Sequence, residues 1–187
     1  MTLNRPAAFD PLRALRVLQR HRVRLVVIGA FAGRLLGSPT VTRDLDLCYA
    51  RDPANLEALA AALQELDARL LGADERAASA FRLDTRSLRA GDHFTFTTTA
   101  GDLDVVGTPA GSAGYDELAR TAEEFDLDGL RVRVASIDAL IRMKRAAGRP
   151  KDLIEVEVLS ALRDELDRQP PRQADQARTS CDSHGRC

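Results

Sequence analysis

Val27-Ile28-Gly29-Ala30-Phe31-Ala32, followed after Gly37 by Thr42-Arg43-Asp44-Leu45-Asp46-Leu47, decides how this 187-residue chain folds. Leu25 to Ile28 is a short apolar run with β-branched residues, the pattern of a buried strand, and Gly29 ends it. Phe31 to Leu36 has the character of a short helix closed by Gly37. Small residues at such a junction let a phosphate approach backbone N–H groups at a helix N-terminus, where the peptide dipoles favour negative charge. A tight packing turn uses the same small residues. No Gly-Lys-Ser/Thr follows, so this is not a P-loop, and the spacing of a dinucleotide-binding fingerprint is absent.

Asp44-Leu45-Asp46-Leu47-Cys48-Tyr49 alternates acidic or polar with apolar residues and reads as a second strand. Residues two apart on a strand share a face, so Asp44 and Asp46 present two carboxylates together while Leu45 and Leu47 turn into a core. Adjacent like charges are costly unless a cation or hydrogen-bond donors compensate them, and magnesium suits such oxygen donors. Ordinary surface acids on an exposed strand have the same pattern. Gly101-Asp102-Leu103-Asp104-Val105-Val106 repeats it, and pairing of the two strands brings Asp104 opposite Asp44 and Asp46. Asp102 faces the same way as Asp104 in an ideal strand, so either can be the third ligand, or Asp102 is a solvated turn residue.

A basic segment, Arg142 to Asp152, follows later in the chain. Lys144 is available there to a triphosphate, Arg149 and Lys151 flank a tight inter-helix junction, and Asp152 either pairs with Lys144 or caps backbone donors. A plain charged helix end is the competing reading. A second basic cluster, Arg13, Arg16, Arg20, His21, Arg22 and Arg24, reads as a solvated helix face, with RNA contact as its competitor.

The remaining pattern predicts a first helix from about Asp10 to Arg20, capped by Asp10, and an Ala- and Leu-rich helix from Asn55 to Leu71. Strands are expected at Phe81 to Leu83, His93 to Thr98, Asp102 to Val106 and Leu130 to Val134, with a hairpin turn at Ala100-Gly101. A short helix is expected from Tyr115 to Glu124. Ser136 caps another over Ile137 to Ala147, stopped by Gly148, and a last one runs from Pro150 to about Leu166. The fold class is therefore α/β (α+β): a mixed sheet flanked by helices, with C-terminal helices. Residues 1–168 form one domain, and 169–187 form a polar, disordered tail.

Lys and Arg number 27 against 28 Asp and Glu, so total charge indicates neither a nucleic-acid nor a membrane partner. No apolar run approaches the roughly 20 residues that span a bilayer, and the N-terminus lacks a signal-peptide apolar core. Cys48, Cys181 and Cys187 make no disulfide framework, which fits a reducing cytoplasm. Aromatic residues are only 4%, arguing against extensive base stacking. His21, His93 and His184 have no zinc spacing, and no nucleophile–histidine pair is legible.

Taken together, the strand–Gly-Ala–helix segment, the two acidic strands and Leu140 to Leu153 resemble the DNA-polymerase-β-like nucleotidyltransferase superfamily, and within it the small bacterial AbiEii-type and minimal nucleotidyltransferases. The resemblance covers approximately Val23 to Leu159. It implies magnesium-assisted transfer of a nucleoside monophosphate from a nucleoside triphosphate such as ATP. It also implies that Asp44, Asp46 and Asp104 bind the metal, with Asp104 helping to activate an acceptor hydroxyl, and that Gly29, Ala30, Arg43 and Lys144 form the nucleotide-binding set. Ala30 departs from the family's usual Gly-Gly or Gly-Ser pair, which removes a serine hydroxyl but keeps the volume small. Acceptors across the family include RNA ends such as tRNA, partner proteins and antibiotics, in some cases in toxin–antitoxin pairs. A catalytically silent nucleotide- or protein-binding module is the alternative.

Overall fold

In a computed structural model of the chain, residues 8–72 and 81–168 are described. The expected tail at 169–187, with Cys181, His184 and Cys187, lies outside them. Along the chain run α1 (Pro11–Arg20), β1 (Leu25–Ile28), α2 (Gly29–Leu36), β2 (Asp44–Tyr49), α3 (Pro53–Glu65), β3 (Arg69–Leu70) and α4 (Thr85–Ala90). They are followed by β4 (His93–Thr98), β5 (Gly101–Val106), α5 (Tyr115–Thr121), β6 (Glu123–Leu127), β7 (Leu130–Val134), α6 (Ile137–Ala147) and α7 (Pro150–Arg168). The strands form one mixed sheet in the order β3-β4-β5-β2-β1-β7-β6, flanked by helices.

Local chemistry accounts for most boundaries. Asp10 caps α1 by accepting from the Arg13 N–H at 3.0 Å, and Ser136 caps α6 through the Ala139 N–H. Gly37 and Gly148 close α2 and α6 at φ +112° and +65°, left-handed conformations that favour glycine. Alternation sorts the central strands: Leu45, Leu47, Leu103 and Val105 are almost wholly buried on one face, while the acidic residues between them occupy the other.

Three expectations need correction, and one helix was not expected. The helix expected to reach Leu71 stops at Glu65, because the chain turns at Asp67 (φ +50°) and Arg69–Leu70 pair with β4 instead. Phe81 to Leu83 is not a strand. Phe81 buries its ring against Phe94 and Phe96, at centroid distances of 5.9 and 6.2 Å, without joining the ladder. Just beyond it, Asp84 caps α4 through the Ser87 N–H, an element the hydrophobic pattern did not suggest. The helix expected to reach Glu124 ends at Thr121, since Glu123–Leu127 pairs with β7 through Asp128-Gly129. Both turn residues have positive φ, as a two-residue hairpin with the right-handed strand twist requires.

The α2 helix begins at Gly29 rather than Phe31, directly where β1 ends. That start places its N-terminus beside the acidic face of β2.

Candidate active site

The register of three strands builds the acidic centre. In the parallel pair of β2 and β5, Asp44 stands opposite Asp102 and Asp46 opposite Asp104; in the antiparallel pair of β1 and β2, Ile28 stands opposite Asp46. Asp44, Asp46 and Asp104 each offer a carboxylate oxygen, and these oxygens all lie within 4.8 Å of one another. Asp102 lines the cleft beside Asp44 but is not in this mutually close set.

Gly29 is required here for space as well as for conformation. Its φ is +68°, and a Cβ at this position would lie 1.9 Å from Asp46 Oδ2. The Asp46 carboxylate therefore occupies the volume that any side chain at position 29 would need. Thr42 Oγ1 donates to the carboxylate of Asp44. Asp104 Oδ1 is buried without a hydrogen-bond partner among the described residues.

Burial, then the neighbouring Asp44 and Asp104 charges, push the Asp46 carboxyl up to about 7, with Lys144 pulling the other way. An unpartnered buried oxygen and a carboxylate this reluctant to ionise are what a hard divalent cation would relieve, and three carboxylates are its preferred donors.

Two clefts meet at Asp46. One is polar and is lined by Ala30, Arg43, Asp44, Lys144, Lys151 and Glu155 among others. The other, about 380 Å³, is more apolar than polar: Ile28, Gly29, Val106, Leu140 and Met143 line it together with His93 and the charged Asp46, Lys144, Arg149 and Asp152. Each of Gly29, Ala30, Arg43 and Lys144 thus lines one or both clefts.

An ion network around one buried carboxylate sets the basic wall. Asp152 is fully buried and accepts from Arg149 Nε at 2.5 Å, Arg149 Nη2 at 3.1 Å and Lys144 Nζ at 3.4 Å. Lys144 also meets Glu155 at 2.5 Å. The Arg149 hydrogen bond above all, with Lys144 adding its charge, holds the Asp152 carboxyl below its ordinary range. Of the two alternatives for Asp152, pairing with Lys144 is the one found. Arg149, Asp152 and Glu155 are functional candidates that the sequence did not single out as site residues. The short spacing between Arg149 and Asp152 was a visible signal, whereas the reach of Asp152 and Glu155 to Lys144 needs the packing of α6 on α7.

The basic cluster near α1 is not gathered into either cleft. Arg20 and His21 pair with Glu65, Arg24 with Asp52, and Arg13 donates to the Thr99 carbonyl. Among the described residues, no helix is long and apolar enough to cross a membrane.

No protein-family model matches this sequence, and no curated protein does. Among solved structures, the lincosamide antibiotic adenylyltransferase LnuA, in its lincomycin-bound form, is similar at 11% identity over 84% of this chain and 99% of that one, with a TM-score of 0.55. A Thermotoga maritima protein, TM1012, described as a candidate nucleotidyltransferase, matches at 15% identity over 87% of this chain and 98% of that one, with a TM-score of 0.47. The antibiotic-resistance factor ANT(2'')-Ia matches at 18% identity over 84% of this chain and 89% of that one, with a TM-score of 0.48. The LnuA likeness identifies the architecture as a nucleotidyltransferase-like fold. Identities of this size concern fold, not substrate.

Proposed function

We propose that this chain is a magnesium-dependent nucleotidyltransferase that moves a nucleoside monophosphate from a nucleoside triphosphate to an acceptor hydroxyl. The observation that carries the reading is the convergence of Asp44, Asp46 and Asp104 at the start of α2, with Asp104 Oδ1 buried and unpartnered. In this reading all three aspartates hold the metal. Bound there, magnesium would supply charge neutralisation for the carboxylates and for the phosphates of the substrate.

The remaining roles follow from the chain's own groups. Backbone N–H groups at Gly29 and Ala30 face the phosphates from the N-terminus of α2. Arg43 and Lys144 contact the triphosphate from the polar cleft, with Arg149 and Lys151 adding positive charge. Asp152 does not touch substrate; it holds Lys144 and Arg149 toward the cleft. Asp104 accepts the proton of the acceptor hydroxyl as the new oxygen–phosphorus bond forms, and the α-phosphorus loses pyrophosphate.

Kinship with the AbiEii-type branch and a toxin–antitoxin setting rest on the sequence resemblance alone, and the preferred nucleotide is what the test decides. The test is transfer of α-labelled ATP, CTP, GTP and UTP with magnesium, comparing wild type with Asp44→Ala/Asp46→Ala. Aspartate-dependent labelling of any acceptor supports the transferase. Nucleotide binding without turnover would favour the silent binding module instead.

A further inference from the structure

We propose that the acceptor occupies the apolar cleft, on the far side of Asp46 from the polar one, and that it is a small hydroxyl compound with an apolar body. This rests on the transferase reading and adds to it where the acceptor sits and what class it belongs to.

The sheet register separates the two clefts. On the acidic face of β2 and β5, Asp44 and Asp102 form one row, Asp46 and Asp104 the next, and Cys48 and Val106 the third. Across β4 these rows continue as Thr97, Thr95 and His93. The polar cleft takes the first row, with Arg43 and Lys151, and the apolar cleft takes Val106 and His93 of the third. Four residues of strand separate Asp102 from Val106, about 13 Å at the usual rise. The two clefts share Asp46, Lys144 and Arg149 and open from that point in opposite directions along the strands.

Displacement at phosphorus runs in line, so the attacking and leaving oxygens lie on opposite sides of the phosphorus. The pyrophosphate carries several negative charges, and of the two clefts only the polar one adds Arg43 and Lys151 to the shared Lys144 and Arg149. The acceptor oxygen then approaches from the Val106 side. Its O–H proton passes to Asp104, the acceptor oxygen–α-phosphorus bond forms, and the bond from α-phosphorus to the pyrophosphate oxygen breaks. The products are the nucleotidylated acceptor and pyrophosphate.

The lining of the cleft sets the class of acceptor. Its volume of about 380 Å³ falls in the range of small-molecule sites. Ile28 and Val106 lie on its floor and Met143 on the α6 wall, while Pro109 and Ala110 flank it from the segment after β5. Its cations, Lys144 and Arg149, are already ion-paired with Asp152. An RNA acceptor brings a phosphate with each nucleotide and needs further cations that this lining lacks. His93, exposed on the floor, offers a hydrogen bond to a polar group near the reacting hydroxyl.

Ala110→Trp and Ala147→Trp each place an indole in the cleft, from different segments of the chain. Binding of mant-ATP with magnesium would be measured for wild type and both variants. In parallel, α-labelled nucleoside triphosphates would be incubated with the low-molecular-mass extract, the RNA and the protein of a cell lysate. We expect wild type to label a low-mass product that a reversed-phase column retains longer than the free nucleotides. Both variants should bind mant-ATP within about twofold of wild type yet lose about tenfold or more of that label. A parallel loss of mant-ATP affinity in both would make this the nucleoside cleft and overturn the proposal. So would label confined to RNA or protein, or no low-mass label although nucleotide binds. Failure of the wild type to bind mant-ATP would instead overturn the transferase reading, and this inference with it.

Discussion

Replacing Asp46 by Asn should stabilise the metal-free protein at alkaline pH while abolishing transfer. The Asp46 carboxyl climbs from its ordinary 3.8 to about 7 in the folded chain, chiefly because burial removes water and then because Asp44 and Asp104 lie beside it. For an acid raised in this way, stability is greatest below 3.8 and falls as pH rises to about 7, because the unfolded chain ionises first. Each pH unit in that window is worth about 1.4 kcal/mol, so the raised Asp46 carboxyl costs about 2 kcal/mol at pH 5, where it stays protonated, and about 4 kcal/mol at pH 8, where it is ionised. Asn has the shape of the protonated acid and carries no such cost. The variant should therefore gain about 2–3 kcal/mol more over wild type at pH 8 than at pH 5, roughly 5–10 °C in Tm for a chain of this size. The assay is thermal unfolding in EDTA at both pH values, repeated with excess magnesium, which should raise the Tm of wild type but not of Asp46→Asn. A variant less stable than wild type at pH 8 in EDTA, or the same pH dependence in both proteins, would refute the reasoning.

The other site residues separate stability from activity in different ways. Gly29→Ala meets both the +68° φ and the Asp46 carboxylate, so it should lower Tm and cut transfer by at least about tenfold; wild-type turnover would show that the carboxylate can move aside. Asp44→Asn changes an exposed side chain, so unfolding should be nearly unchanged while labelled transfer disappears; retained transfer would remove Asp44 from the metal set. Asp152→Ala strips a fully buried carboxylate from Lys144 and Arg149, which should cost about 3 kcal/mol in urea unfolding and weaken mant-ATP binding. Unchanged nucleotide affinity in that variant would limit Asp152 to a structural role.

The acidic centre was legible in the sequence because strand geometry is nearly one-dimensional. A period of two puts Asp44 with Asp46 and Asp102 with Asp104, and only the inter-strand register remained open. That register is what distinguishes Asp104 from Asp102: Asp104 stands opposite Asp46, where Gly29 leaves room, and Asp102 one row away beside the exposed Asp44. The basic wall was harder to read, since it depends on how two helices pack. Lys144 and Asp152 are eight residues apart across Gly148, and neither helical nor strand periodicity pairs them. The strand β6 was missed because its burial is slight, so it has little hydrophobic pattern. Its position follows from the Asp128-Gly129 turn and from pairing with β7, and that turn was in plain view. At Phe81, aromatic packing on β4 imitates the composition of a strand without its hydrogen bonds.

Gly29 ties the two halves of the proposed site together. As the first residue of α2 it brings the helix N-terminus to the end of β1, and as a residue without Cβ it leaves space for the Asp46 carboxylate. The backbone proposed to face phosphate and the carboxylate proposed to hold the metal therefore depend on one position, with Ile28 and Asp46 held opposite each other by the β1–β2 ladder. At Ala30 the constraint is weaker, since this residue lines the polar cleft and only its volume and backbone N–H enter the argument. The chain can thus depart from the usual Gly-Ser or Gly-Gly at its second position and keep the centre intact. The same departure at the first position would displace Asp46 itself.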